Sequence, residues 1–253
     1  MRYIKTNTIY CFSPPVMIAT FIIEIFLAAY VTWRYSLNNI TKLAASILFF
    51  LAVFQLAEYN VCEGAFGIDS LGWSRLGYAS ITMLPPLGLH LASRIAGRKN
   101  TMLLTAAYTS AAAFVAFFAF TGHGIVSSAC TGNYVIFNTA PGSSVWYGIY
   151  YWGWLAIGSG YAWRAAQKQS LPNKSAALKA LAIGYLVFMV PTITVNMLDP
   201  ATTSAIPSIM CGFAVMLAII LAGEVLPQYY RRPSLTQQLS GTGVEKIRGK
   251  TIK

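Results

Sequence analysis

Charge is what this sequence has least of. Only 10% of its 253 residues are Asp, Glu, Lys or Arg, against about 25% in an ordinary soluble domain. So few charges cannot cover a water-facing surface, which argues against a soluble enzyme. Catalytic signatures are scarce as well. There is no HExxH to hold zinc and no GxSxG elbow to present a serine nucleophile. The two histidines, His90 and His123, fall short of the set that zinc-dependent membrane hydrolases require. The last apolar run, IPSIMCGFAVMLAIILAGEVL, lacks the lysine on which retinal would form a Schiff base. Four cysteines occur without CxxC spacing, so no metal is expected among them. No motif calls for a cofactor, and an enzyme is the least favoured reading.

What the chain has in abundance is apolar sequence, at 56% of residues. A run of about 20 such residues spans a bilayer as a helix. Candidate runs fall at 14–33, 41–60, 73–95, 102–120, 145–163, 177–198 and 205–225. The expected fold is therefore all-α, a polytopic seven-transmembrane-helix bundle over residues 1–227. A basic, polar tail over 228–253 follows, expected to be partly disordered. The opening MRYIKTNTIYCFSPP is polar and lacks a long hydrophobic region, so the first run is expected to be retained rather than cleaved. Pro85-Pro86, Pro191 and Pro207 each remove a backbone hydrogen bond and permit a kink.

Orientation follows from the basic residues. All Lys and Arg except Arg2, Lys5 and Arg75 fall in the 1–2, 3–4 and 5–6 connections or at the carboxyl-terminal end. Glu63, Asp69 and Asp199 fall on the other side. The positive-inside rule then puts the amino terminus outside and the carboxyl terminus in the cytoplasm. The formal net charge of +11 reads as a topogenic signal and an attraction to anionic lipid, with no nucleic-acid partner expected. Cys11, Cys62 and Cys130 would lie at the outer side, where disulfides persist. A Cys62–Cys130 bridge would tether the long 122–144 loop over the bundle, although Cys11 could replace either partner. Cys211 reads as a small helix residue.

Polar groups inside these runs are the candidate site. Glu24 lies roughly 15 Å below the outer end of the first helix, at about 1.5 Å per residue, where a charge is costly. Gln55 and Glu58 share one face near the outer end of the second helix. Tyr78, Thr82 and His90 are on the third, and Asn196 ends the sixth. Glu24, Gln55, Glu58, Tyr78, Thr82, His90 and Asn196 are the candidate lining of an outer-facing polar cavity between helices 1, 2, 3 and 6. Three of them also have a plainer reading: Glu24 as interhelical glue, Glu58 as a group reaching interfacial water, His90 as a hydrogen bond to a neighbouring helix. The Tyr and Trp cluster of helix 5 reads first as an interfacial belt, of which only the inward-facing part could line a pocket.

Two resemblances attach to these residues. FFLAVFQLAEY followed by WSRLGYASITMLPPLGLHL resembles the seven-helix sensor region at the amino terminus of some bacterial histidine kinases. Cys11-Phe12-Ser13 with Gln55-Leu56-Ala57-Glu58 resembles a group of small bacterial membrane proteins that open with Cys-Trp/Phe-Ser and carry Gln-x-x-Glu in helix 2. The first implies a sensor in a bacterial inner (plasma) membrane, binding a small ligand and signalling through a cytoplasmic or membrane partner. Two alternatives stay open, a small-solute or proton-coupled transporter and an accessory subunit of a membrane complex. No internal repeat between helices 1–3 and 5–7 supports the transporter.

Overall fold

The computed structural model describes residues 13–64, 66–98, 100–122, 124–131 and 134–231. Cys11, His123, Lys99 and the tail beyond Arg231 lie outside them. Helix α1 (Pro14–Arg34) carries its prolines in the first turn, where a missing N–H costs nothing. Helix α2 (Asn39–Glu63) starts where the Asn38 side chain accepts from the amides of Ile40 and Thr41. It stops at Gly64, whose positive φ of 67° ends the helix.

The helix expected over 73–95 is two helices, α3 (Ser70–Thr82) and α4 (Leu84–Ala96), broken at Met83. The proline pair explains the break. Pro86 has no N–H to give the Thr82 carbonyl, so the ladder cannot run through. The freed carbonyl accepts instead from the Tyr150 hydroxyl at 2.6 Å. Helix α5 (Thr101–Phe120) lies against α3 and α4 and meets the later helix over Ser143–Gln167 through side chains, with Phe114 against Tyr147 and Tyr150 and Trp154 Nε1 donating to Ser110 Oγ at 3.0 Å.

The long loop expected over 122–144 holds a hairpin, so the fold is helical with one small sheet. Strands β1 (Ile125–Cys130) and β2 (Val135–Thr139) pair antiparallel, with Cys130 opposite Val135 and an irregularity between Ile125 and Ser127. Helices α6 (Ser143–Gln167), α7 (Pro172–Leu198) and α8 (Ile206–Ile220) complete the bundle. A 3₁₀ turn over Pro200–Ala205 precedes α8. A π turn over Leu221–Val225 joins it to the short α9 (Leu226–Tyr230). Pro227 sits at the start of α9, and the wider turn lets the helix pass a residue that cannot donate.

In packing, α1 lies on α2, α2 on α3 and α4, α4 on α6, α6 on α7 and α7 on α8, which reaches back to α1. One end of the bundle carries the hairpin, fixed to α3 by Ser70 Oγ to Ser128 Oγ at 2.8 Å. The opposite end is tied by Thr41 Oγ1 to the Tyr230 hydroxyl at 2.8 Å and by Asn173 to the Tyr229 carbonyl at 3.2 Å. Arg34, Lys42, Arg94, Arg98, Arg164 and Lys168 all fall at or beside helix ends there.

Five described stretches are long and apolar enough to cross a membrane: Pro14–Arg34, Asn39–Glu63, Thr101–Phe120, Pro172–Leu198 and Pro200–Tyr230. The chain is by this measure an integral membrane protein. The other two expected spans differ for visible reasons: α3 and α4 are separated by the break, and α6 dilutes its apolar residues with Gly, Ser, Tyr and Trp. The outer surface agrees with a lipid environment. Phe26, Met102, Trp146 and Ile149, on α1, α5 and α6, are all more than half exposed.

Candidate functional site

Two buried carboxyls define the interior near the hairpin end. Glu24 on α1 and Glu58 on α2 are fully enclosed, at 0% and 1% exposure, and interact electrostatically with each other. Neither oxygen of Glu24 has a hydrogen-bond partner among the described residues, nor does Oε1 of Glu58. Gln55, one turn deeper on the Glu58 face, is also buried with its side-chain amide nitrogen unpartnered. Buried polar groups are nearly always paired. Several unpaired ones side by side are therefore the least ordinary feature of the bundle.

Glu58 is coupled to the hairpin. Its carboxyl hydrogen-bonds the Ser208 hydroxyl of α8, and the Ser208 oxygen accepts from the Val135 amide of β2 at 3.2 Å. Four residues after Glu58, Cys62 is disulfide-bonded to Cys130, the residue paired with Val135. Besides its Ser70–Ser128 tie to α3, the hairpin is thus held by one covalent and one hydrogen-bonded strut that lead to the last turns of α2. Ser13 to Gly64 contains no other cysteine able to compete among the described residues, and Cys211 is free and buried.

A cavity of about 110 Å³ lies under the hairpin between α3, α6 and α8. Four aromatic side chains, Tyr78, Tyr147, Tyr151 and Trp152, form part of its walls, with Cys211 and Met210 from α8. Thr139, Ser144 and Thr203 add hydroxyl groups at the rim. The carboxyls are not in the cavity. They lie behind its wall, since Glu58 interacts electrostatically with both Tyr78 and Cys211. Tyr78 is set by ring contacts to Phe118, Phe137 and Tyr147 at 4.7, 5.3 and 5.4 Å.

The helix break positions the opposite wall. Thr82 Oγ1 donates to the Tyr78 carbonyl at 2.6 Å and lies 3.0 Å from the Tyr147 hydroxyl. Tyr147 and Tyr150 are therefore both fastened to Thr82, one through its side chain and one through its freed carbonyl. A hydroxyl that is buried and bonded in this way orients an aromatic ring as well as satisfying it.

The seven residues expected to line one cavity do not all meet. Tyr78 lines the cavity, and Thr82 braces its wall. Glu24, Gln55 and Glu58 form the polar cluster behind it. His90 is remote, on the basic half of α4, where Nδ1 pairs with the Tyr108 hydroxyl at 3.1 Å and Nε2 accepts from Arg94. Asn196 donates to the hydroxyls of Thr202 and Thr203, holding the turn after α7. The cavity is thus bounded by α3, α6 and α8, rather than by the expected helices 1, 2, 3 and 6.

Sequence reasoning reads Tyr147, Tyr151 and Trp152 first as an interfacial belt whose inward-facing part could line a pocket, without naming them as site residues, and it misses Ser208. The tyrosines are spaced three and four apart, at 147, 150 and 151, and so share a helix face, a signal that an interfacial-belt reading passes over. For Ser208 the only cue is its place one turn before Cys211. No three His, Cys, Asp or Glu side chains among the described residues are placed to hold a metal. A scan against protein-family models finds no match, and a search of the curated proteins finds none either.

Proposed function

We propose that this protein is a seven-span membrane sensor that binds a small, weakly polar molecule in the cavity beneath the hairpin. The hairpin end faces outside and the basic end faces the cytoplasm. The observation that carries the reading is a cavity with four aromatic side chains in its wall, backed by an enclosed carboxyl pair with unpartnered oxygens and bordered by a disulfide-anchored hairpin. Occupancy can then be felt by Tyr78 and Cys211, by Glu58 behind them, and through Ser208 by the hairpin.

Several observations support the membrane arrangement. The α3–α4 pair covers a span's length across its break, and α6, at 25 residues, is about 37 Å long at 1.5 Å per residue. The disulfide at the hairpin end suits an oxidising compartment. The opposite end carries the basic residues expected on the cytoplasmic side. In size, the cavity is comparable to one of about 150 Å³ that accepts benzene, so the ligand is on the scale of a single ring. The likeness to histidine kinase sensor regions supports a signalling partner.

A second reading is favoured by one observation. Two enclosed carboxyls with unpaired oxygens are the usual equipment of a proton-coupled carrier. Glu24→Gln and Glu58→Gln separate the two. Abolished pH-dependent uptake in vesicles favours the carrier. A sensor instead shows no uptake of any candidate solute, together with saturable ligand-induced thermal stabilisation that depends on the cavity walls. If candidate ligands give neither uptake nor stabilisation, both readings fail.

A further inference from the structure

A groove far from the cavity has the shape and charge of an amphiphile. It lies between α6 and the start of α5 at the basic end, with a volume of about 580 Å³. Leu103, Ala156, Ile157 and Gly160 make its apolar length. Arg98, Arg164 and Lys168 close it at the polar end. From Ala156 to Lys168 the groove follows α6 for about 18 Å at 1.5 Å per residue, long enough for the upper part of an acyl chain. It exists because the α5 and α6 backbones stay apart, meeting through side chains such as Ser110 and Trp154, and because Gly160 has open space where a side chain would project.

The electrostatics of the groove are one-sided. No acidic residue lines it, and Arg98, Arg164 and Lys168 make no ion pair among the described residues. The Tyr161 hydroxyl, also in the wall, is buried without a hydrogen-bond partner. Three unpaired cations, an unpartnered hydroxyl and an apolar trough running away from them complement a phosphate attached to a hydrocarbon chain. From this we infer that the groove is a binding site for an anionic phospholipid, its headgroup phosphate held by Arg98, Arg164 and Lys168 and an acyl chain laid along Ala156 and Gly160. The inference rests on the membrane placement of the chain and not on the ligand cavity.

The test uses the full chain in neutral detergent, titrated with phosphatidylglycerol, phosphatidylcholine or inorganic phosphate while thermal unfolding and native mass are followed. Phosphatidylglycerol is expected to stabilise saturably and to remain bound in the mass spectrum, with phosphatidylcholine and free phosphate giving no shift. Apparent affinity is expected to fall about tenfold or more in the Arg98→Ala, Arg164→Ala, Lys168→Ala triple variant, given the attraction each basic residue has for anionic lipid. Gly160→Leu, which fills the trough and leaves every charge in place, is expected to lose binding as well. Unchanged phosphatidylglycerol binding in the triple variant overturns the proposal. So does binding retained in Gly160→Leu, or an equal effect of phosphatidylcholine or of inorganic phosphate alone. Failure here leaves the cavity reading standing, because neither variant touches a cavity residue.

Discussion

At the scale of single residues, Thr82 is where sequence chemistry turns into site geometry. The prolines at 85 and 86 cost the helix its ladder, and the protein answers with tyrosine hydroxyls from α6. Removing one partner from a buried hydrogen bond leaves the other unpaired, at about 1–3 kcal/mol. Tyr150→Phe is accordingly expected to destabilise by about that amount, read as a lower unfolding temperature in detergent, with little change in helix content. Gly88 makes a different point. A Cβ there would collide with the Tyr185 hydroxyl and come within 2.9 Å of its ring carbon, so Gly88→Ala forces the ring to move. The single variant is expected to be clearly destabilised. Adding Tyr185→Phe removes the nearest atom and is expected to recover part of the loss. Equal unfolding temperatures for the single and double variants would show that the contact is not the cause.

At the scale of elements, the hairpin is the part whose attachment can be cut without touching the bundle. Cys62 and Cys130 are 68 residues apart in sequence, and a bridge closing a long loop typically contributes about 2–4 kcal/mol. Reduction, or Cys62→Ser with Cys130→Ser, is expected to lower stability by about that amount. It is also expected to speed amide hydrogen exchange over residues 125–139 far more than over α2. Ser208→Ala removes the acceptor of the Val135 amide, and its exchange effect is expected at the start of β2 alone. Uniform exchange changes across the bundle would mean that the hairpin is not separately anchored. Legibility divides along the same line. Helix positions and the cysteine pair could be read in advance, because an apolar run and its flanking charges are local facts. The breaking power of Pro85-Pro86 was visible too. What took its place was not, because it depends on Tyr147 and Tyr150 arriving from a helix more than sixty residues away. Glu24 and Glu58 stood out as misplaced charges, yet nothing local says that they share an enclosed region behind Tyr78, that His90 serves the opposite end of the molecule, or that Asn196 holds the turn carrying Thr203 to the cavity.

At the scale of the whole molecule, the account joins a membrane bundle, a charge gradient along its axis and a small aromatic cavity at one end. Cysteine labelling in intact cells tests the orientation: single cysteines introduced at Val126 and at Leu171 are expected to react with an impermeant reagent at the first position only. The central claim is the cavity itself, and Gly148 gives direct access to it. Gly148 lines the cavity, and an added Cβ there meets nothing within 4 Å. Leucine at that position therefore fills the space, and replacing a helical glycine also favours the helix. The most direct measurement is thermal stabilisation of the protein in lipid nanodiscs by a panel of single-ring compounds, comparing the native chain with Gly148→Leu. The account predicts that at least one compound stabilises the native chain saturably and that Gly148→Leu, folded and no less stable, loses the response. A compound that stabilises both equally, or a panel that stabilises neither, would contradict it.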